Sequence, residues 1–289
     1  MSSAKGPLLG VLLILCATSL LATHDGVSKY LTAIYPLFFV VWVRYAAQTV
    51  LMLAIFAPKM GKQLVQTRRP LLQFARGLCL LGISWLFIGG LRYIPLAEAT
   101  SVMFLAPLIV TVLSVIFLKE KITLGQWIAV AVGLMGVLLI VRPGGELFTP
   151  AILMPLGASF CFAIYQLLTR RVAVTDHPVT SNFLAGLIGT LGLLFVLPFN
   201  AVLPHWLDLL WMLMLGALAM TGHILLTIGF KYGSAATLAP FTYAQIIFAA
   251  LIGVVFFKQS PDLIAWLGVA IIILSGLAVA WLQHHSKDL

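Results

Sequence analysis

Apolar residues in this chain gather into ten runs, at 7–23, 34–57, 71–91, 95–118, 123–141, 150–169, 179–199, 206–230, 234–257 and 262–283, and short links between them hold most of the charge. A hydrocarbon core needs about 20 apolar residues per helix, and inside it every backbone N–H and C=O must be bonded within its own segment. This pattern predicts an all-α polytopic membrane protein with ten transmembrane helices. Composition excludes the soluble alternative, because 62% of the residues are hydrophobic and only 9% charged, which leaves too few polar side chains to cover an exterior. The first run follows Lys5 in the manner of a signal peptide. His24-Asp25 stand where small cleavage-site residues belong and nine further spans follow, so the run is read as an uncleaved helix.

A net charge of +9 raises the question of nucleic acid, but no helix presents a basic face interleaved with aromatics, so no nucleic-acid partner is expected. The charges instead set orientation. With the N-terminus inside, the cytoplasmic side holds Lys5, Lys59, Lys62, Arg68, Arg69, Arg76, Lys119, Lys121, Arg170, Arg171, Lys231 and Lys287, against Lys29, Arg92, Arg142 and Lys258 outside. Both termini are expected in the cytoplasm. Cys16, Cys79 and Cys161 lie inside apolar runs without paired spacing, and read as small hydrophobes rather than as disulfide or metal ligands. No metal or cofactor is expected.

The chain also repeats itself. An ungapped offset of 139 residues sets 91–141 against 230–280, matching Tyr93 with Tyr232, Ala97 with Ala236, Phe117 with Phe256, Lys119 with Lys258 and Trp127 with Trp266. Pro36 against Pro178 and Lys29 against Arg171 align at an offset of 142. Each half, 1–144 and 145–289, holds five spans. An odd number of spans makes the second half enter the membrane from the opposite side, which predicts two inverted five-helix repeats around a midplane cavity.

Leu91-Arg-Tyr-Ile-Pro-Leu-Ala-Glu-Ala-Thr-Ser101, Ala106-Pro107-Leu108, Leu118-Lys-Glu-Lys121, Gly133-Leu-Met-Gly136 and Arg142-Pro143 together resemble the drug/metabolite transporter superfamily, and more narrowly its ten-helix EamA-type permeases. Arg44 and Arg76-Gly77 fit the same pattern, whereas Gly186 opposite Arg44 and Gln259 in the second hairpin depart from it. The resemblance implies a basket in which spans 1, 3, 4, 6, 8 and 9 surround a cavity and spans 5 and 10 are peripheral. It also implies a small-molecule substrate drawn from amino acids, nucleotide-related compounds, vitamins, metallophores or cationic drugs.

Ionisable groups within a span are costly and therefore mark candidate sites. Arg44 lies about ten residues from either end of its run, with Gln48 one turn on. It reads either as an anchor for a substrate anion or as a buried pair with Glu98 or a carbonyl. Glu98 reads as a proton-coupling carboxyl or as compensation for a helix N-terminus. His223, in line with Thr227 and Lys231, and the polar sets Ser159, Tyr165, Gln166 and Thr242, Tyr243, Gln245 mark spans 6, 8 and 9 as polar-lined. Trp85 reads as a cavity wall or as lipid packing. Arg76 and Pro240 read as gate positions, with snorkelling the alternative for Arg76. Asp25 and Lys29 read as a solvated ion pair.

The expected function is secondary transport across the bacterial inner membrane of a small polar or zwitterionic metabolite, with export of amino acids or amino-acid-derived compounds, metallophores included, placed first. Uptake of a vitamin, nucleoside or S-adenosylmethionine-like solute is the alternative. A membrane-embedded lipid transferase or scramblase is the rival from another class, opposed by the lack of a catalytic cluster in the links. The expected partners are the substrate and the bilayer, with a homodimer left open.

Overall fold

The computed structural model describes residues 5–118, 123–142, 144–145, 148–230, 232, 238 and 241–285. Lys119, Glu120, Lys121, Pro143, Lys231, Ala236, Pro240 and Lys287 carry parts of the hairpin, motif, stripe, repeat, gate and charge expectations, and they lie outside the described residues.

Helices account for nearly all of what is described, and there is no strand among the described residues. In chain order they are α1 (Lys5–Ile34), α2 (Leu37–Met60), α3 (Pro70–Ile83), α4 (Leu96–Met103), α5 (Ala106–Leu118), α6 (Leu124–Val141), α7 (Leu153–Val172), α8 (Pro178–Leu193), α9 (Trp206–Gly229), α10 (Ala244–Phe257) and α11 (Leu263–His285). Local chemistry sets several of the boundaries. Pro36 disfavours helix at the residue before it and so divides α1 from α2. Pro70 and Pro178 occupy first-turn positions whose N–H would have no partner in any case. Thr123 and Gln126 close a reciprocal capping box at the start of α6.

Eight helical stretches among the described residues are long and apolar enough to cross a membrane, and α8 and α10 are shorter apolar helices of 16 and 14 residues. Each of the ten apolar runs thus contains an apolar helix. Two of the expected boundaries are corrected. The first run was bounded at residue 23, but α1 continues without a break to Ile34, because His24, Asp25 and Lys29 are buried among partners from other helices and do not end the helix in water. The fourth run is not one helix. Pro107, which cannot bond to the carbonyl of Met103 and would clash with it, follows a break at Phe104-Leu105 between α4 and α5. Ser84–Ile88 extend α3 as a π turn, a geometry common at functional positions.

The helices pack in a regular scheme. α1 lies along α9 and α10, α2 along α8 and α9, and α3 along α7 and α8. α7 also meets α4 and α5, and α4 meets α10. α6 and α11 pack mainly on each other, and their backbones come close where a Cβ on Gly136 would lie 2.9 Å from the Gly268 carbonyl oxygen. Large apolar side chains such as Leu71, Leu124, Phe195, Phe256 and Leu263 point outward, as a lipid-facing surface requires.

Candidate functional site

The polar residues of the interior fall into three groups, arranged along the seams between helices. The central group begins on α2. Arg44 is 3% exposed and donates from Nη1 to Ser84 Oγ at 2.9 Å, with its guanidinium carbon 4.4 Å from the centre of the Tyr45 ring. Tyr45 Oη bonds to both Ser84 Oγ (2.8 Å) and the Leu80 carbonyl (3.0 Å). The π turn therefore begins at the residue that receives the arginine. Neither a Glu98 pair nor a backbone carbonyl holds Arg44; its partner is a hydroxyl. Its Nε and the Oε1 of buried Gln48 have no hydrogen-bond partner.

Gly216 and Gly222 let α9 approach this level closely. A Cβ on Gly216 would stand 2.6 Å from the Gln48 nitrogen and 2.9 Å from the Arg44 oxygen, and one on Gly222 would stand 2.9 Å from Leu21 of α1. His223 therefore sits at the level where α1, α2 and α9 meet, within the electrostatic reach of Arg44, His24 and Arg76. It keeps some accessible surface.

One turn along α1 from Leu21, buried His24 places Nδ1 3.0 Å from Asp25 Oδ1. Asp25 Oδ2 accepts from Gln245 Nε2 of α10 at 3.0 Å. The solvated Asp25–Lys29 pair expected from the sequence is absent, since both residues are buried. Lys29 Nζ instead donates to the carbonyls of Leu91 (2.5 Å) and Ile94 (2.8 Å), oxygens at the end of one span and in the turn leading to the next, which have no helical partner there. Glu98, in the first turn of α4, is buried with Oε2 unbonded, in the field of Lys29.

The third group ties α3 to α7 and α8. Arg76 is 3% exposed and donates to Tyr165 Oη (2.5 Å), Thr169 Oγ1 (2.8 Å), the Ser181 carbonyl (2.6 Å) and Asn182 Oδ1 (3.4 Å). It does not snorkel. Beside it Gln73 Nε2 donates to Asp176 Oδ2 and to Ser181 Oγ, both at 2.9 Å, and Asp176 also accepts from Thr67 Oγ1 and the Arg68 N–H. Partial burial on its own would raise the Asp176 pKa; the donated hydrogen bonds outweigh that and hold it below its ordinary 3.8. A carboxyl whose folded pKa is lowered stabilises the fold above its unfolded pKa, and that contribution disappears as pH falls through the folded value. Thermal unfolding in detergent is therefore expected to show the wild type losing stability below about pH 4, a step that Asp176→Asn should lack. An identical acid profile for the two proteins would refute this.

The other candidates separate in space. Tyr165 and Gln245 join the groups just described, and Gln166 is half-buried beside Tyr165 on α7. Ser159 is sealed and donates to the Leu156 carbonyl of its own helix at 2.6 Å. Tyr243 packs on Phe104 among Ile140, Ile246, Val269 and Ile272, on the side of α6 and α11. Trp85 is half exposed, 6.2 Å from Phe38, and lines an apolar pocket of about 260 Å³ with Val41, Leu78, Leu81, Gly82 and Leu193. His24 and Ser28, both buried and each with an unbonded polar atom, were missed by the sequence reading. Their spacing of one turn is the available signal, and it lies beyond residue 23, where the first apolar run ends.

A model of the EamA-like transporter family matches residues 8–142 and, a second time, residues 149–281. The chain belongs to the EamA-like transporter family. This EamA-like transporter is 30% identical over 287 residues to a riboflavin transporter of Vibrio cholerae serotype O1, covering 95% of the chain and 94% of that protein. It is 27% identical over 269 residues to an S-adenosylmethionine uptake transporter of Rickettsia conorii, with 92% and 90% covered. A riboflavin transporter of Rhizobium johnstonii is 25% identical over 227 residues, 78% of the chain and 74% of the relative. A solved crystal structure superimposes with a TM-score of 0.64 at 23% identity over the full length of both chains, a likeness of fold. The EamA-like transporter is thus a multi-pass membrane protein of a family that moves small metabolites.

Proposed function

We propose that the protein is a bacterial inner-membrane uptake transporter for a small heterocyclic solute such as a vitamin, a nucleoside or S-adenosylmethionine, working by alternating access through a central cavity between two inverted repeats, 1–144 and 145–289. The observation that carries this reading is the set of buried polar atoms without partners, on His24, Arg44 and Gln48, where α1, α2 and α9 meet. A purely structural cluster would satisfy such atoms, because leaving one unbonded in the interior costs about 1–3 kcal/mol; a site that receives a solute keeps them free.

Uptake is favoured by the relatives from Rickettsia, which are S-adenosylmethionine uptake transporters. Export of amino acids, placed first from the sequence, finds no support among them. The double family match favours the repeat, as does the packing scheme: exchanging each span for the one five places away turns α3 on α7 into α9 on α1, and α2 on α9 into α8 on α3. The bias of Lys and Arg favours cytoplasmic termini. On this orientation Arg76 and Asp176 tie the inner ends of α3, α7 and α8 together as a closed gate.

Purified protein in proteoliposomes is expected to take up riboflavin or S-adenosylmethionine in preference to amino acids. Flux confined to amino acids, or none for either heterocycle, would overturn the reading. Glu98, a buried carboxyl with an unbonded oxygen, is the proposed site of proton coupling. Glu98→Gln is expected to abolish accumulation driven by a pH gradient while leaving solute exchange across the membrane. Gradient-driven accumulation at the wild-type rate in that variant would rule out the coupling role.

A further inference from the structure

We infer that the seam where α1, α2 and α9 meet recognises a lactam or imide edge, an adjacent C=O and N–H on a neutral or anionic heterocycle, with His24 and Gln48 accepting from the ligand and Arg44 donating to it, and that it rejects sulfonium and ammonium cations. The inference rests on the uptake reading and narrows it to neutral or anionic heterocycles, leaving S-adenosylmethionine out; its physical content is binding.

Four side chains at this level are each more than nine-tenths buried and each holds a polar atom without a partner: His24 Nε2, Ser28 Oγ, Arg44 Nε and Gln48 Oε1. Helical spacing sets His24 and Ser28 one turn apart on one face of α1, and Arg44 and Gln48 one turn apart on one face of α2. The close contacts of Gly216 with the Arg44–Gln48 turn and of Gly222 with Leu21 bring both faces to the same stretch of α9. Arg44 and His24 are also electrostatic neighbours.

The hydrogen-bond polarity of these atoms follows from their chemistry and, for His24, from the tautomer assigned to it. Asp25 accepts from Gln245 with one oxygen and faces His24 Nδ1 with the other. The proton of the His24–Asp25 bond is assigned to Nδ1, the tautomer in which a neutral ring offers a lone pair at Nε2. Gln48 Oε1 also accepts, Arg44 Nε–H donates, and the Ser28 hydroxyl serves either way. A carboxylate ligand satisfies Arg44 but gives nothing to Nε2 or Oε1. An ammonium satisfies the acceptors but not Arg44. A group with N–H beside C=O satisfies both kinds of atom at once.

Charge selects in the same direction. Asp25 is the acid of this seam and both its oxygens are engaged by the protein. Arg44 and Arg76 are permanent cations within the field that reaches His223. A sulfonium entering here would meet like charge and no free carboxylate, a combination that low dielectric makes costly.

The test uses the full-length protein in detergent, with binding followed by quenching of flavin fluorescence. Riboflavin is expected to bind, N3-methylriboflavin, which lacks the imide N–H, to bind at least about ten-fold more weakly, and excess S-adenosylmethionine not to displace riboflavin. His24→Leu should lose the preference for the unmethylated flavin, and His24→Gln, which keeps an acceptor, should retain part of it. Equal affinity for the two flavins overturns the inference, as does displacement by S-adenosylmethionine at comparable concentration. Failure of riboflavin, lumazine and uridine all to bind the monodisperse protein overturns it as well. If the histidine variants do not fold, the comparison of the two flavins on wild-type protein decides. Flavin flux that ignores N3-methylation would leave the uptake reading standing without this inference, whereas selective binding with no flux would do the reverse.

Discussion

Arg76→Leu is expected to lower the thermal midpoint of the protein in detergent by roughly 5–10 °C. The side chain is buried and binds four acceptors on α7 and α8, with its guanidinium 4.5 Å from the centre of the Tyr165 ring. A leucine fills part of the volume and leaves the Tyr165 and Thr169 oxygens and the Ser181 carbonyl short of a donor. At about 1–3 kcal/mol for each buried group left unbonded, the loss is several times that of an ordinary surface substitution. Arg76→Lys keeps the charge without the planar fork, so it should fall between wild type and leucine. A leucine variant as stable as wild type would show that the network is a by-stander.

Gly216→Ala, a single added methyl, is the second large effect. Its Cβ would press on the Gln48 backbone nitrogen at 2.6 Å and on Ala47 Cβ at 2.7 Å. Backbone cannot swing aside as a side-chain tip does, so α9 and α2 must separate, at a cost of about 1–3 kcal/mol. Because Arg44 and Gln48 occupy that same turn, flavin binding should weaken together with stability. Gly192→Ala is the control. Its Cβ would meet Leu81 at an ordinary 3.4 Å, and the gain in helix propensity should leave the protein unchanged or more stable by up to about 1 kcal/mol. Equal midpoints for the two alanine variants would contradict the close-approach account.

The apolar runs were legible because lipid imposes a length and composition on each span that no soluble core demands. The extent of α1 was not. His24, Asp25 and Lys29 look like a polar link in one dimension and become tolerable within a helix only through Gln245, Leu91 and Ile94, far away in sequence. Arg76 was visible as a charge near an end, but its four acceptors come from two helices about a hundred positions later. Arg44 was recognised as deep while its partner Ser84 went unnoticed, since a serine inside an apolar run carries no signal until a π turn presents it. Tyr243 and Trp85 show the converse limit. Both have the chemistry of a pocket wall, and the direction in which each helix faces puts one into the packing beside α6 and α11 and the other at an apolar outer pocket.

The length of α1 has a consequence for the whole assembly. Thirty residues at a rise of 1.5 Å make a rod of about 45 Å, half as long again as the roughly 30 Å hydrocarbon layer. Such a rod must lean steeply or stand proud among the headgroups, and its posture then depends on bilayer thickness. The same rod bears His24, Asp25 and Lys29, and Lys29 grips the turn that leads into α4. Membranes of different acyl length therefore bear mechanically on this helix and, through it, on the polar centre of the bundle.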